Sequence, residues 1–248
     1  MTAKLNLDHA LRAVQILNGD KPFELRIEQA PPAGEKKGQV IAEWPKGEAE
    51  LRKLLIHHDK ACAKSIWCSF QPLNGRRKGF VTNEDVKRRD WFFIDVARTD
   101  TENPATLQEL AEAKKVFDAV LAFLAAQSIT PRLVGLSGNG WHAYLPLDGW
   151  PNDEAHADLA KSFLKFLADK FNSENGKIDI GICNVGRVAK LFGTVNRKGV
   201  ESEGRPYRTA EIHTEDLKAP ANSVFFLRFW WTRPGSNRRP PRCERGES

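Results

Sequence analysis

Residues 90–96, DWFFIDV, set four apolar side chains in a row between Asp90 and Asp95, with Val96 after them. A strand with one wet face alternates apolar and polar residues, so a run without alternation needs cover on both faces. The central strand of a layered sheet meets that need. An acid at the end of so apolar a strand stands out, and Asp95 is the first candidate for chemistry.

The flanking sequence supplies the layers. FELRIEQ (23–29) alternates Phe23, Leu25 and Ile27 with charged residues, and QVIAEW (39–44) follows the turn PPAGEKKG (31–38), which predicts a pair of strands. EAELRKLLIHHDKA (48–61) has helical spacing and SIWCSFQ (65–71) reads as a strand. Thr106 and Glu109 form a T-x-x-E capping box, and the helix they open carries Leu107, Leu110, Phe117, Val120, Leu121 and Leu124. RLVGL (132–136) and WHAYLPL (141–147) are strands, and Asn152 is placed to cap a helix striped with Leu159, Phe163, Leu164, Leu167 and Phe171. GKIDIG (176–181), VAKLFGT (188–194) and RTAEIH (208–213) are short extended segments around a basic loop. A chain of 248 residues of this pattern predicts one domain with a second lobe.

Composition narrows the setting. No apolar run approaches 18 residues and the N-terminus lacks an export signal, so a cytoplasmic protein with no membrane partner is expected. Cys62, Cys68, Cys183 and Cys243 show neither C-x-x-C spacing nor histidine partners, and read as free thiols. The net charge is +6, but six arginines against two glutamates put +4 of it after residue 227. The segment 233–248 is crowded with Pro, Gly and Arg, without apolar periodicity, and is expected to be disordered. The remaining basic runs are Arg76, Arg77 and Lys78; Lys87, Arg88 and Arg89; and Arg187, Lys190, Arg197, Lys198, Arg205 and Arg208. Such runs read either as solvated charge or as a phosphate-binding surface.

SGNGWH (137–142) removes side-chain bulk from a turn and then places a histidine. It is no nucleophile elbow, because Asn139 stands where the last glycine belongs and a strand follows instead of a helix. Neither a P-loop nor a dinucleotide fingerprint is present. What remains is a glycine hairpin with His142 near the start of its second strand. The six residues alone fit a tight turn with a half-buried histidine, or a backbone cradle for phosphate with the imidazole as donor. Asp95 at one strand end and Asp179 after another add two carboxylates, which with the turn and the basic loop are parts of a metal-dependent phosphoryl or nucleotidyl transfer site.

Over most of residues 10–213 the sequence resembles the archaeo-eukaryotic-type primase-polymerase superfamily, in particular the RepB-like replicative primases of plasmids, phages and other mobile elements. FELRI, TNEDVKRRDWFFIDV, SGNGWHAYLPL as a Ser-Gly-x-Gly-x-His motif, KIDIGICNVGRVAKLFGTVNRKG and RPYR carry the resemblance, in order. It implies an α+β fold: an RRM-like antiparallel sheet with packed helices over about residues 81–227, beside a smaller N-terminal α/β unit over about 1–80. Residues 228–248 remain a tail.

By the same resemblance Asp95 and Asp179 are metal ligands for Mg²⁺ or Mn²⁺ and catalytic acids. His142 is a catalytic residue that contacts the phosphates of the nucleotide. Ser137, Gly138 and Gly140 shape the nucleotide pocket, and Arg187, Lys190 and Lys198 meet the triphosphate. Nucleoside triphosphates and a single-stranded DNA template are the implied partners, with unwinding left to a replicative helicase or a further domain. The implied reaction is primer synthesis or extension. A DNA-binding module of a replication initiator and a metal-dependent nuclease are the other classes these residues allow. One motif departs from the family: acid, any residue, acid becomes Asp95-Val96-Ala97. Residues two apart in a strand share a face, so Ala97 brings a methyl group to the position of a second ligand. Asp100 is the nearest substitute.

Overall fold

A computed structural model describes residues 3–32, 35, 38–99 and 102–222. Asp100, Cys243 and the tail 228–248 lie outside the described residues. Helix α1 (Leu7–Leu17) starts where Asn6 accepts the His9 amide at 3.1 Å, and it buries Ala10, Ala13, Val14 and Leu17. Then come β1 (Leu25–Glu28), β2 (Val40–Glu43), α2 (Glu48–Lys60) and β3 (Ser65–Ser69). A distant segment, β8 (Val188–Lys190), completes their antiparallel sheet in the order β2-β1-β3-β8. The smaller unit therefore draws on residues 188–190 as well as on the first 80.

The larger sheet grows around the apolar run. β4 (Arg88–Arg98), α3 (Leu107–Ala126), β5 (Leu133–Leu136), β6 (Gly140–Pro151), α4 (Glu154–Phe171) and β7 (Gly176–Ile178) make a β-α-β-β-α-β unit. After a short ribbon of β9 (Val195–Asn196) and β10 (Arg208–Thr209), β11 (Glu211–Glu215) adds an edge, giving the order β11-β5-β6-β4-β7. All pairs are antiparallel, so the mixed α+β fold with an RRM-like sheet is what the chain adopts.

β4 is covered on both faces, as its composition demands. Phe92 meets Phe163 of α4 at 5.5 Å, while Phe93, from the opposite face, meets Phe70 beyond β3 at 5.3 Å. One continuous core joins Leu25, Ile27 and Ile66 of the smaller sheet to Ile94, Leu124, Leu145 and Leu167 of the larger unit. The register of β4 on β6 shifts between Arg89 and Trp91, and the buried Gln71 side chain fills the irregularity. Its Oε1 accepts the Asp90 and Trp91 amides at 2.8 and 3.1 Å, and its Nε2 donates to Trp91 O at 2.7 Å. From Trp91 onward the alternation is regular and delivers Asp95 and Ala97 to one face.

Two expectations shift. The Thr106–Glu109 capping box is present, but Leu107 is 76% exposed, because the first-turn position points away from the stripe formed by Leu110, Phe117, Val120 and Leu124. The second long helix is capped by Asp153, which accepts the His156 amide at 2.8 Å. Asn152, the expected cap, donates instead to the carbonyls of Asn83 and Val86, a role that a carboxylate cannot fill. Among the described residues no helix is long and apolar enough to cross a membrane.

Candidate functional site

The strand register writes the site as two rows on one face of the larger sheet. Asp95 pairs across with His142 on β6, and on its other side the Asp179 amide donates to Asp95 O at 2.9 Å. One pleat further, Ala97 stands between Gly140 on β6 and Lys177 on β7. The rows are thus His142–Asp95–Asp179 and Gly140–Ala97–Lys177. They form one wall of a cleft of about 660 Å³, whose facing wall is built from Glu28, Ser65, Trp67 and β8 of the smaller sheet. The two-sheet architecture therefore creates the site.

His142 is 3% exposed, with its ring in a T-shaped contact with Phe93 at 4.8 Å. Its Nε2 stands 3.6 Å from Asp95 Oδ1, too far for a hydrogen bond, and its Nδ1 is buried without a partner among the described residues. A buried N–H without an acceptor is costlier than a bare lone pair, so the surroundings favour the tautomer with the proton on Nε2. That N–H is available to an anion beside Asp95. Asn139 also leaves Nδ2 buried and without a partner among the described residues, while its Oδ1 accepts the Ala105 amide at 2.8 Å.

The turn itself is explained by contact. Gly138 has φ +92°, and a Cβ there would lie 2.8 Å from the Cβ of Asn196; it shapes the turn without lining the cleft. A Cβ on Gly140 would lie 2.7 Å from Val96 O, so only glycine lets β6 approach β4 beside Ala97. The Ser137 amide and hydroxyl both donate to Gly140 O, at 2.8 and 3.1 Å, and Ser137 and Gly140 both line the cleft.

Asp179 Oδ1 accepts the Gly181 amide at 2.8 Å, which closes the short 3₁₀ turn Ile180–Cys183, and its Oδ2 lies 3.4 Å from Arg187 Nη2. Both partners of that pair are about two-fifths exposed, which makes it weak and exchangeable for a ligand. Lys198 is exposed and contributes to the lining. Lys190 differs: it is buried, and its Nζ donates to Ser65 Oγ at 3.2 Å and Val195 O at 2.9 Å. Burial, with Arg197 adding repulsion, holds its ammonium well below the usual lysine range.

Many of the basic residues whose runs read as either solvated charge or a phosphate surface have partners inside the protein. Arg76 donates to the carbonyls of Trp44 and Pro45, Arg77 pairs with Asp85, Arg88 with Asp90, and buried Arg89 donates to Cys183 O at 2.9 Å. Arg197 binds Asp59 at 2.8 Å, and Arg205 grips Glu109 through both guanidinium nitrogens. Those two arginines hold distant segments together. Sequence reading passed over Lys177, Glu28, Trp67 and Asn196, which the cleft includes. Lys177 had a signal, since it sits two residues before Asp179 in an extended segment and so shares its face.

No family model matches the sequence, and no curated protein does either. Solved structures do. The AEP domain of the cyanophage S-2L primase-polymerase (PrimPol) aligns with a TM-score of 0.54 at 13% identity, covering 90% of this chain and 97% of that one. The polymerase domain of Mycobacterium tuberculosis ligase D, solved in complex with DNA, aligns with a TM-score of 0.51 at 12% identity over 91% of this chain and 88% of its own. At such identities the likeness is one of fold: the chain is built on the architecture of primase-polymerase-type domains.

Proposed function

We propose that this chain is a nucleotidyltransferase domain of the primase-polymerase type, which binds a nucleoside triphosphate and a single-stranded DNA template in the cleft between its sheets. The observation that carries the reading is the row His142–Asp95–Asp179, an anion donor and two carboxylates side by side on a two-sheet fold that DNA primase-polymerase and ligase polymerase domains share.

Each residue has a role that its geometry supports. Nε2–H of His142 donates to a phosphate oxygen, and Arg187, released from its weak pair with Asp179, meets the same triphosphate. Ser137 and Gly140 keep the turn low enough for the phosphates to lie against it. Asp95 and Asp179 fit one hard divalent ion, Mg²⁺ or Mn²⁺, because two carboxylates with substrate phosphates are a usual oxygen set for such a cation. When bound, that ion would supply charge neutralisation at the phosphates and a more acidic attacking hydroxyl. Among the described residues no group of three His, Cys, Asp or Glu could hold a metal, so even one ion would rest on the two carboxylates with the substrate phosphates, and the methyl group of Ala97 at the next position offers nothing to a second.

The test is primer synthesis and extension on single-stranded DNA, with Mg²⁺ or Mn²⁺ and with ribo- or deoxynucleotides in turn. Incorporation that Asp95→Asn abolishes supports the reading. Degradation of DNA without added nucleotide would move the assignment to a nuclease. The Ala97 and Lys177 pair favours a second reading, a nucleotide- and DNA-binding module of a replication initiator; binding of both ligands without incorporation under every condition would select it.

A further inference from the structure

Lys177 has no role in the catalytic reading, yet it stands in the wall of the cleft. It is in register with Ala97 and precedes Asp179 by two residues, so both side chains face the cavity with Asp95. It is exposed, and its ammonium has neither an ion pair nor a hydrogen bond among the described residues. The acids nearby have other partners: Asp179 holds Gly181 and Arg187, and Glu28 on the facing sheet pairs with Lys64 at 3.4 Å.

We propose that Lys177 is the second cation of this cleft, and that its ammonium binds the triphosphate directly at the place beside Ala97 where a two-ion site would need a further carboxylate. The inference rests on the cleft being a nucleotide site. A divalent ion placed beside Ala97 would find a methyl group for a ligand and an ammonium for a neighbour, and like charges at such range repel. A phosphate oxygen there meets the opposite situation, with the Lys177 ammonium as its neighbour and Arg187 lining the same cleft. Lysine suits the task, being a compact charge with three donors on a flexible stem that can follow the phosphates. The chain would then take one divalent ion per nucleotide and keep substantial triphosphate affinity with no divalent ion at all.

The experiment titrates the full chain with a fluorescent nucleoside triphosphate in EDTA and again in Mg²⁺, for the wild type, Lys177→Met and Lys177→Arg. Mn²⁺ bound per chain is counted by electron paramagnetic resonance at saturating nucleotide. The wild type should bind in EDTA, Lys177→Met should lose about ten-fold there, and Lys177→Arg should recover most of it, since one charge-assisted contact is at stake. One Mn²⁺ per chain is expected. Equal affinities of wild type and Lys177→Met in EDTA, binding by the wild type only with divalent ion, or two Mn²⁺ per chain would each overturn the proposal while leaving the nucleotide site in place. Absence of nucleotide binding in every condition would instead remove the reading of the cleft on which it rests. Because Lys177 is exposed, unchanged melting temperatures will show that any loss is local.

Discussion

The two rows that face the cleft from the larger sheet lie one pleat apart on the same three backbone segments, yet they share no side-chain chemistry. His142, Asp95 and Asp179 form a polar row that adjacent groups hold in place: a T-shaped contact of Phe93 with the imidazole, a backbone amide on Asp179. Gly140, Ala97 and Lys177 form a row with no acid, in which only the lysine carries a functional group. Backbone geometry does not distinguish the rows, so the contrast isolates what side chains contribute. On the proposed reading the first row would hold a hard cation, whereas the second can only supply one.

The sharpest way to break that contrast is to neutralise the acid row. Asp95→Asn keeps shape and hydrogen-bonding capacity but removes one of the two charges that would hold a divalent ion. Nucleotide incorporation should fall by roughly a hundred-fold or more, because the reacting groups lose their placement. Mn²⁺ affinity should fall with it, while the melting temperature stays within a few degrees because the side chain is only part-buried. Unchanged incorporation would show that the row is not the catalytic one.

Making the second row resemble the first is the converse. Ala97→Asp puts a carboxylate beside Asp95 but also opposite Lys177, where the new acid will pair with the ammonium before it meets a metal. Alone, it should raise divalent-ion affinity only a few-fold. Combined with Lys177→Ala, which frees the new carboxylate, the gain should be about ten-fold, and the two substitutions should be non-additive as expected for neighbours. Metal titration of both single variants and the double variant measures this. Additive effects would mean that residues 97 and 177 do not sense each other.

Much of this arrangement was legible in the sequence, and the parts that were not share a cause. DWFFIDV announced a central strand because burial on both faces leaves no room for alternation, and SGNGWH announced a turn under close contact because two glycines have few other uses there. Asp95, expected at a strand end, lies inside β4, which runs on to Arg98, whereas the αβ order, the capping box at Thr106 and Asp179 just past a strand followed from local patterns. The smaller sheet's fourth strand did not, since three residues, Val188–Lys190, carry too little periodicity to show which distant sheet they join. The partners of the arginines were not legible for the same reason: Arg197 finds Asp59 and Arg205 finds Glu109 across long stretches of chain, and sequence shows charge but not distant partners. Lys177 was readable by period two, but only beside the knowledge that Ala97 lies opposite.

A smaller effect is expected from the third member of the polar row. His142→Asn removes the Nε2–H that faces Asp95 and leaves a shorter amide. Nucleotide affinity should drop about ten-fold, the worth of one donor to a charged oxygen. Affinity unaffected by the change would return His142 to a packing role against Phe93 and Phe192.

The smallest effect on binding should come from Lys190, although its residue type alone suggests a phosphate contact as strongly as Lys177 does. Its Nζ already donates to Ser65 Oγ and Val195 O, which ties β8 to β3 and to the ribbon behind it, and the group is buried where Lys177 is exposed. Lys190→Met preserves most of the volume and removes the donors. Triphosphate affinity should change less than about three-fold, well short of the loss at Lys177, while stability responds to pH in a way the variant lacks. Burial lowers the ammonium's pKa in the folded state, so between that value and the ordinary lysine pKa the unfolded chain binds more protons than the folded one. Stability of the wild type relative to Lys190→Met should therefore rise as pH increases through that window, and level off above the ordinary value. Denaturant unfolding of both proteins across the alkaline range provides the readout. A flat difference would mean that the lysine reaches water from the cleft, and a ten-fold loss of nucleotide affinity would make it a second phosphate contact beside Lys177.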